Sequence, residues 1–506
     1  MELNELREEI DDIDSQMVKL FVKRMKAAEK IGETKRKNGI TVEDAQRERF
    51  VLDRVSENVS ENMRFYVREL YTKIFSLSKL YQRSENTDFA LVGESVDKSF
   101  SPKLHSALGK YSYKLLSMSS SDFDLFMKLM PFKGINVTMP YKEKALAFCS
   151  ELSEEAKAIG CVNTVIKKDG KLYGFNTDLK GIKYMLFRGN ISLKNKNVLI
   201  LGTGGTSKTS EYTAGNSGAK SVIKVSRKGS VNYENVYGLQ ETQVIINTTP
   251  VGAAPNYDCV PVDISRFESL EAYAEAVYTP LKTAAVVKAE ELGLKTALGL
   301  DMLCAQAFYA SEIFTGNKLK PAILNELCFR MRSELVNIVL MGMPGCGKSR
   351  ISAILSKKTG RPLHDTDKII EKKTGKKCSE IISELGEKQF RLIESEIVKE
   401  ISKENGCIIA LGGGSVLSEE NRRALKQNGL IIYVVRDNGK LATRGRPLSQ
   451  NKTALNELFA QRDPIYRACA DIVIDNNAHI EKAVSNILKK IEMQNKKEEK
   501  HESTCC

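Results

Sequence analysis

Eight residues, Gly342 to Ser349, constrain this chain more than any others: GMPGCGKS follows directly on the apolar run NIVLM. Glycines at such positions let the backbone turn tightly around an anion, and the last residues of the loop open a helix. Backbone amides then cradle phosphates, Lys348 reaches the outer phosphate oxygens, and Ser349 ligates magnesium. Gly342, Gly345 and Gly347 supply the turn, so the implied ligands are ATP and Mg²⁺. A buried strand running through a loop into a helix belongs in an α/β domain with a parallel sheet.

That loop accounts for only part of a chain of 506 residues. At roughly 100–200 residues per domain, about three domains are expected. Changes of periodicity place them. Residues 1–84 read as all-helical, with Leu3, Leu6, Ile10, Ile13, Met17 and Leu20 alternating spacings of three and four. This is the seam of a long amphipathic helix from about Leu3 to Lys37, stopped by Asn38-Gly39. A second helix is expected from near Thr41 with Asp44 in its first turn, and a third from about Asn62 to Gln82. Residues 85–334 alternate short β-branched strands with helices: a lobe over 85–185, a dinucleotide-binding region over 186–300 and C-terminal helices over 301–334. Residues 335–493 form the α/β phosphate-loop domain, and the charged stretch 494–506 reads as a disordered tail.

The net charge of +13 has two readings, nucleic-acid binding or attraction of small anionic substrates. No basic stripe is interleaved with aromatics, which disfavours nucleic acid. The eleven cysteines form no CxxC pair, and no apolar run reaches the ~18 residues a membrane helix needs. The acidic, helical N-terminus is unlike a secretory signal, so a cytoplasmic protein with reduced thiols is expected.

The first helix carries cations where its apolar stripe continues: Arg24, Ala27, Ile31 and Lys35 follow Leu20 at helical spacing. Each cation needs an anion, from a neighbouring helix or from a ligand. Arg7 lies one turn into this helix; Asp44, Arg47 and Glu48 share a side of the second, and Ser78 and Gln82 a side of the third. LREEIDDID, Arg24, GETK, EDAQRERF and SLSKLYQ together resemble the all-helical chorismate mutase family over the whole segment. The resemblance implies rearrangement of chorismate to prephenate without nucleophile or cofactor. Arg7, Arg24 and Arg47 would take the carboxylates, Lys35 and Gln82 would donate to the ether oxygen, and Glu48 would hold the ring hydroxyl. Asp44 and Ser78 would complete the site. It also implies a homodimer of the intertwined long-helix type, with Arg7 reaching the partner's pocket. The alternative is a regulatory module that binds chorismate or prephenate.

In the middle region VLILGTGGTS sets Gly202, Gly204 and Gly205 after a strand, with Ser207 where a third glycine is usual. An ordinary turn is the competing reading. The next strand ends VSRK, where Arg227 and Lys228 replace the acid of an NAD site and suit a 2′-phosphate, hence NADP(H). SFSPKLH, GINVTMPYK, IGCVNT, GFNTD, INTTPVG, VYTPLKT and GLDMLCAQA, in this order, resemble shikimate dehydrogenase. By that resemblance Ser99, Ser101 and Thr138 bind the substrate carboxylate, and Lys142 and Asp178 form the catalytic pair. Asn163 and Gln306 hold ring hydroxyls, and Tyr278 lines the substrate site. Three features depart from the family: Ala253 after TPVG, Glu275 before VY, and a short lobe between Ser101 and Gly134.

Around the phosphate loop, HDTD supplies Asp365 and Asp367, EKQFRLIE supplies Arg391 and Glu394, and LGGGS supplies Gly412, Gly413 and Gly414. RGRPLS and RDPIY add Arg446 and Arg462. This order resembles shikimate kinase. The resemblance implies that Asp365 supports magnesium and Asp367 activates the acceptor hydroxyl. Arg391, Arg462 and the Gly413–Gly414 backbone would hold the acceptor, and Arg446 would close from a lid that looks short in LATRGRPLS. The expectation is a trifunctional enzyme of the shikimate route.

Overall fold

The computed structural model describes residues 3–38, 40, 44–84, 87–441 and 452–500. It divides into two compact units, Met1–Asn176 with Ala310–Asn317, and Thr177–Tyr309 with Lys318–Cys506.

The first unit opens with α1 (Leu3–Lys37), α2 (Ala45–Glu57) and α3 (Glu61–Ser84). The 35 residues of α1 span about 50 Å at ~1.5 Å per residue. Helix α3 packs on both others. Its start and end lie close to the expected ones, but Asp44 is not in the first turn of α2. It caps the helix, accepting from Arg47 N at 3.0 Å, as a short carboxylate does before unpaired helix amides. The seam of α1 is open: Leu3, Ile10, Met17 and Leu20 are all exposed, as are Met63, Phe65, Tyr66 and Leu70 of α3.

The lobe follows with β1 (Phe89–Gly93), α4 (Ser101–Leu108), β2 (Tyr113–Ser117), α5 (Ser120–Leu129), β3 (Gly134–Val137), β4 (Glu151–Leu152), α6 (Glu154–Ile159), β5 (Thr164–Lys168) and β6 (Lys171–Phe175). The sheet order is β2-β1-β3-β5-β6-β4. Strands β1, β2 and β3 are parallel, and β5 turns antiparallel to β3 and β6. Ala90, Val92, Phe123, Phe126, Ile135 and Val165 form its core, which Leu80 of α3 joins.

The second unit begins with α7 (Asp178–Arg188), β7 (Asn197–Leu201), α8 (Gly205–Asn216), β8 (Ser221–Val225), β9 (Val244–Asn247), β10 (Ala272–Glu275), α9 (Ala284–Glu291), β11 (Lys295–Ala297), α10 (Gly299–Thr315, of which the residues from Ala310 on count with the first unit) and α11 (Pro321–Leu335). Its sheet is wholly parallel, in the order β11-β10-β9-β7-β8. Alternation along the strands fills two cores, Val198, Ile200, Val244 and Ile246 on one face, Leu199, Leu201, Ile245 and Tyr273 on the other. Helix α8 is unusual in burying hydroxyls: Thr209, Ser210 and Thr213 each bond the carbonyl four residues back. That bond satisfies each hydroxyl within the helix and lets a polar sequence pack like a small apolar one.

A second parallel sheet, β13-β14-β12-β15-β16, is built from β12 (Asn337–Met341), α12 (Lys348–Thr359), β13 (Leu363–Asp365), α13 (Thr366–Thr374), α14 (Cys378–Ile401), β14 (Ile408–Ala410), α15 (Glu419–Asn428), β15 (Gly429–Val435), α16 (Lys452–Cys469), β16 (Ile472–Asp475) and α17 (Ile480–Lys500). Helix α14 bends at Gly386, whose φ of 82° is non-helical. Helix α17 runs to Lys500, through much of the expected tail, because Lys, Glu and Gln are good helix formers.

One close approach fixes the start of α10. A Cβ on Gly299 would lie 2.4 Å from Val277 O and 2.5 Å from Ala276 O. Gly299→Ala should therefore destabilise the second unit by about 1–3 kcal/mol. The measurement is the urea midpoint for peptides of β10 and α10, followed by hydrogen exchange. Gly204→Ala is the control, since a Cβ there meets nothing within 4 Å. Equal shifts for the two variants would refute the tight approach.

Candidate active sites

The phosphate loop is held open by its backbone. Gly342, Gly345 and Gly347 have φ of 146°, 86° and 102°, in the region that side chains avoid. Asn476 Nδ2 donates to Cys346 O at 2.7 Å and braces the turn from below. Lys348 opens α12 and is buried; its amine donates to Gly342 O at 2.9 Å and Met343 O at 3.1 Å. Its charge thus stands inside the ring of the loop. Ser349 is exposed beside it.

Against this loop stands the Gly412–Gly414 turn that follows β14. A Cβ on Gly413 would meet Pro344 of the phosphate loop at 2.8 Å and an Arg462 nitrogen at 3.3 Å. A Cβ on Gly414 would strike the Arg391 guanidinium, and one on Gly412 would meet Glu394 at 2.6 Å and Asp367 at 2.9 Å. Arg391, Arg462 and Asp367 therefore converge on one turn. Glu394 is buried; it accepts from Arg391 at 2.7 Å and from Ser415 Oγ at 2.6 Å, which fixes the guanidinium. Tyr466 OH donates to Gly413 O. Asp365 caps α13 through Lys368 N, and Asp367 sits in its first turn. Desolvation of its carboxylate, then the neighbouring Asp365 charge, raises the pKa of Asp367, although the residue as a whole is exposed to solvent, which weakens both effects. Sequence reasoning missed Thr366, which is buried and accepts from Gly412 N at 2.8 Å, pinning the glycine turn to α13. The only signal for it was its place between two aspartates. Arg446 lies outside the described residues.

In the dinucleotide region, Gly202 has φ of 112° and Gly204 caps α8, which Gly205 opens. Ser207 is buried where a glycine was expected, and its hydroxyl donates to Gly202 O at 2.7 Å. A small hydroxyl thus fits the position and ties the turn. Arg227 and Lys228 are exposed just past β8. An open glycine turn with two cations at the adjoining strand end fits the pyrophosphate and 2′-phosphate of NADP(H). Tyr278 is half-buried in the loop after β10, and Gln306 is half-buried in α10, donating to Leu303 O. Asp178 opens α7 and is buried.

In the first unit, Ser99 and Ser101 hydroxyls lie 3.0 Å apart at the start of α4. Thr138 and Lys142 are half-buried after β3, and Asn163 is buried, its Oδ1 accepting from Thr164. Asn136 Nδ2 donates to Thr164 Oγ1 at 3.0 Å, and Tyr113 OH donates to Asn136 Oδ1 at 2.7 Å. Beneath them His105 is fully buried, stacked on Tyr113 at 3.9 Å, with its pKa pushed down to about 3 by burial. It is a neutral packing residue there.

In the helical segment Arg24 donates to Ser78 Oγ at 2.5 Å and lies over the Phe75 ring, and burial lowers its pKa. Gln82 is buried against Gly32, and Lys35 is half-buried. Glu48 pairs with Lys79 at 3.2 Å, a partner that the sequence reading did not name. Arg47 is exposed over Phe50, and Arg7 is exposed far up α1.

Among the described residues, His364, Glu404 and Cys407 bring ligand-type atoms within 4.8 Å of one another. The Cys407 thiol, however, donates to Asn337 Oδ1, and burial pushes its pKa up to about 12. The group reads as a packed pair of hydrogen bonds.

These sites define a class: a dinucleotide-dependent oxidoreductase with a substrate lobe, preceded by an all-helical segment and followed by a phosphate-loop kinase. Comparison with known proteins agrees. Residues 6–83 match the family Chorismate mutase type II, 91–165 the Shikimate dehydrogenase substrate binding domain, and 344–492 Shikimate kinase. A shikimate dehydrogenase (NADP(+)) of Clostridium perfringens is 36% identical over 253 residues, 46% of this chain and 93% of the relative. One of Methanococcus maripaludis is 31% identical over 254 residues, 45% of this chain and 91% of the relative. Among solved structures, shikimate dehydrogenase 1 of Peptoclostridium difficile is similar at TM-score 0.46 and 32% identity, covering 48% of this chain and 97% of that one. A chorismate mutase/shikimate 5-dehydrogenase fusion of Clostridium acetobutylicum gives TM-score 0.46 and 28% identity, covering 49% and 97%. The chain belongs to the shikimate dehydrogenase family, fused to a chorismate mutase segment before it and a shikimate kinase segment after it. It is a trifunctional enzyme of the shikimate pathway, with mutase, dehydrogenase and kinase activities and NADP(H) as the dehydrogenase cofactor. No helix among the described residues is long and apolar enough to cross a membrane.

One buried acid in the dehydrogenase gives a pH test. Glu275 accepts from Asn247 Nδ2 at 3.0 Å, Val277 N at 3.0 Å and Thr283 Oγ1 at 2.9 Å. Burial still outweighs these donors and raises its pKa from 4.5 to about 7. The folded state then holds a proton that the unfolded chain has released. Its contribution to stability is full below the unfolded value of 4.5 and is lost as pH rises through about 7. Glu275→Gln cannot titrate, so wild type should lose stability relative to this variant between about pH 5 and about pH 8. Parallel urea-midpoint profiles for the two proteins would refute the assignment.

Proposed function

We propose that the kinase step phosphorylates shikimate at the turn formed by Gly412–Gly414, with ATP and Mg²⁺ held at the phosphate loop. The observation that carries this reading is the convergence of Arg391, Arg462 and Asp367 on that turn, beside Pro344 of the loop. Two guanidiniums suit a carboxylate and hydroxyls, and a carboxylate of raised pKa suits proton acceptance from the attacking hydroxyl. Ser349 and Asp365 would ligate or support the metal, which neutralises charge on the transferring phosphoryl group. Lys348 would turn from its loop carbonyls to phosphate oxygens. Lys348→Ala should abolish ATP-dependent formation of shikimate 3-phosphate while NADPH oxidation with 3-dehydroshikimate stays intact, because the two parallel sheets have separate cores. Equal loss of both activities would refute this division.

For the dehydrogenase, Ser99, Ser101 and Thr138 would hold the substrate carboxylate, and Asn163, Gln306 and Tyr278 the ring. NADPH supplies hydride when bound at Gly202, Gly204, Gly205, Arg227 and Lys228. By its family resemblance Lys142 would give a proton to the carbonyl oxygen, and Asp178 would be the second member of the catalytic pair.

In the helical segment, Arg24, Lys35, Arg47, Glu48, Ser78 and Gln82 would form the mutase pocket, with Asp44 capping the helix that carries two of them. Arg7 lies 17 positions before Arg24 on the same helix, about 25 Å away along its axis. It would serve the pocket of a second copy. The exposed seam of α1, Leu3 to Leu20, supports pairing of two α1 helices, which would bury it. Mixing Arg7→Ala chains with Arg24→Ala chains should restore part of the mutase activity, since a mixed dimer regains one whole site. Mixed dimers without activity would refute the shared pocket. A regulatory role for this segment would leave the isolated residues 1–84 inactive on chorismate.

A further inference from the structure

Inside the second unit, the dehydrogenase loop carrying Tyr278 is tied to the kinase. Its root is held within the dehydrogenase: Val277 N donates to Glu275 at 3.0 Å, and Ala254 N donates to Thr279 O at 3.1 Å. Its tip is held by α15. Leu281 N donates to Asn428 Oδ1 at 2.8 Å, and Lys282 N donates to Gln427 O at 2.8 Å. Asn428 is 2% exposed, and its Nδ2 donates to Ser402 O at 3.1 Å beyond α14. One side chain therefore joins three segments, and both of its polar ends are used. Gln427, 5% exposed, donates from Nε2 to Tyr257 O at 3.0 Å, and the Lys403 amine lies 5.5 Å from the Tyr257 ring centre. Arg423 reaches Glu291 of α9 at 3.8 Å. The contact is dry where it matters: Leu281 is 8% exposed, so its amide depends on Asn428 for a partner.

The other end of α15 is anchored in the kinase site. Ser418 caps it, Asn421 Nδ2 donates to Ser415 O at 2.8 Å, and Arg422 donates to Val416 O at 2.7 Å. These residues follow directly on the Gly412–Gly414 turn.

We propose that α15 of the kinase is a positioning element of the dehydrogenase site, with Asn428 and Gln427 holding the loop 277–282 so that Tyr278 stands where the substrate ring binds. The inference rests on the assignment of Tyr278 to the substrate site. Asn428→Ala strips the partners from Leu281 N and Ser402 O at once. In the full chain it should raise KM for 3-dehydroshikimate about tenfold, leave KM for NADPH within about twofold, and speed hydrogen exchange in a peptide spanning 277–283. A KM for 3-dehydroshikimate equal to that of wild type would overturn the proposal, as would loss of dehydrogenase and kinase turnover together. Wild-type protein supplies a check that needs no variant: the amides of Leu281 and Lys282 should exchange slowly, and fast exchange there would overturn the docking. Tyr278→Phe separates the two claims. If it leaves KM for 3-dehydroshikimate unchanged, the assignment of Tyr278 fails; if it raises KM while Asn428→Ala does not, the positioning role of α15 fails.

Discussion

Two sheets whose strands all run the same way impose the geometry on which the dehydrogenase and kinase sites depend. Parallel neighbours cannot be joined by tight hairpins, so each connection must cross a face of the sheet, and both faces are covered. Only the strand ends remain free for chemistry, and the carboxyl ends are where loops open toward helix N-termini. Gly202 follows β7, Arg227 follows β8, and Tyr278 follows β10. In the other sheet Gly342 follows β12, Asp365 ends β13 and Gly412 follows β14. Residues spread over positions 202–278 in one sheet and 342–412 in the other thus gather at one end of each sheet, without any of them being adjacent in sequence.

Much of this was legible beforehand because strong local rules agree with the global fold. The alternating threes and fours of α1 and the NIVLM-GMPGCGKS junction each leave few alternatives, and the observed helix matches its expected ends, Leu3 and Lys37. What could not be read was partnership across the fold. Asp44 looked like a first-turn residue and is a cap, since the two differ by one position and sequence does not show where helical dihedrals begin. Thr366 and Lys79 lie within HDTD and SLSKLYQ, but nothing in those strings marks them; they matter because folding brings Gly412 and Glu48 to them. Ser207 broke a glycine pattern on paper, yet its hydroxyl has a carbonyl to bond once the turn has formed. The bond from Leu281 to Asn428 spans 147 positions, beyond the reach of any periodicity.

Three acidic residues illustrate how the same group is put to different use by its company. Glu394 is buried against a guanidinium and a hydroxyl, which hold Arg391 in turn. Glu275 is buried among neutral donors alone, and burial prevails. Asp367 shares its recess with Asp365, so a like charge adds to the effect of burial. Charge, hydrogen bonding and desolvation are weighed separately at each place, and no residue type has a fixed role.

The open seam of α1 has a consequence for how the three activities scale. A pocket completed by a second copy obeys mass action, so its active fraction falls on dilution below the dissociation constant of the pair. The phosphate loop and the glycine turn beside it belong to one chain and follow protein concentration in direct proportion. With the α1 helices paired as proposed, one polypeptide would carry activities of different kinetic order in its own concentration. The flux ratio between its late and early steps would then depend on how much of the protein a cell makes.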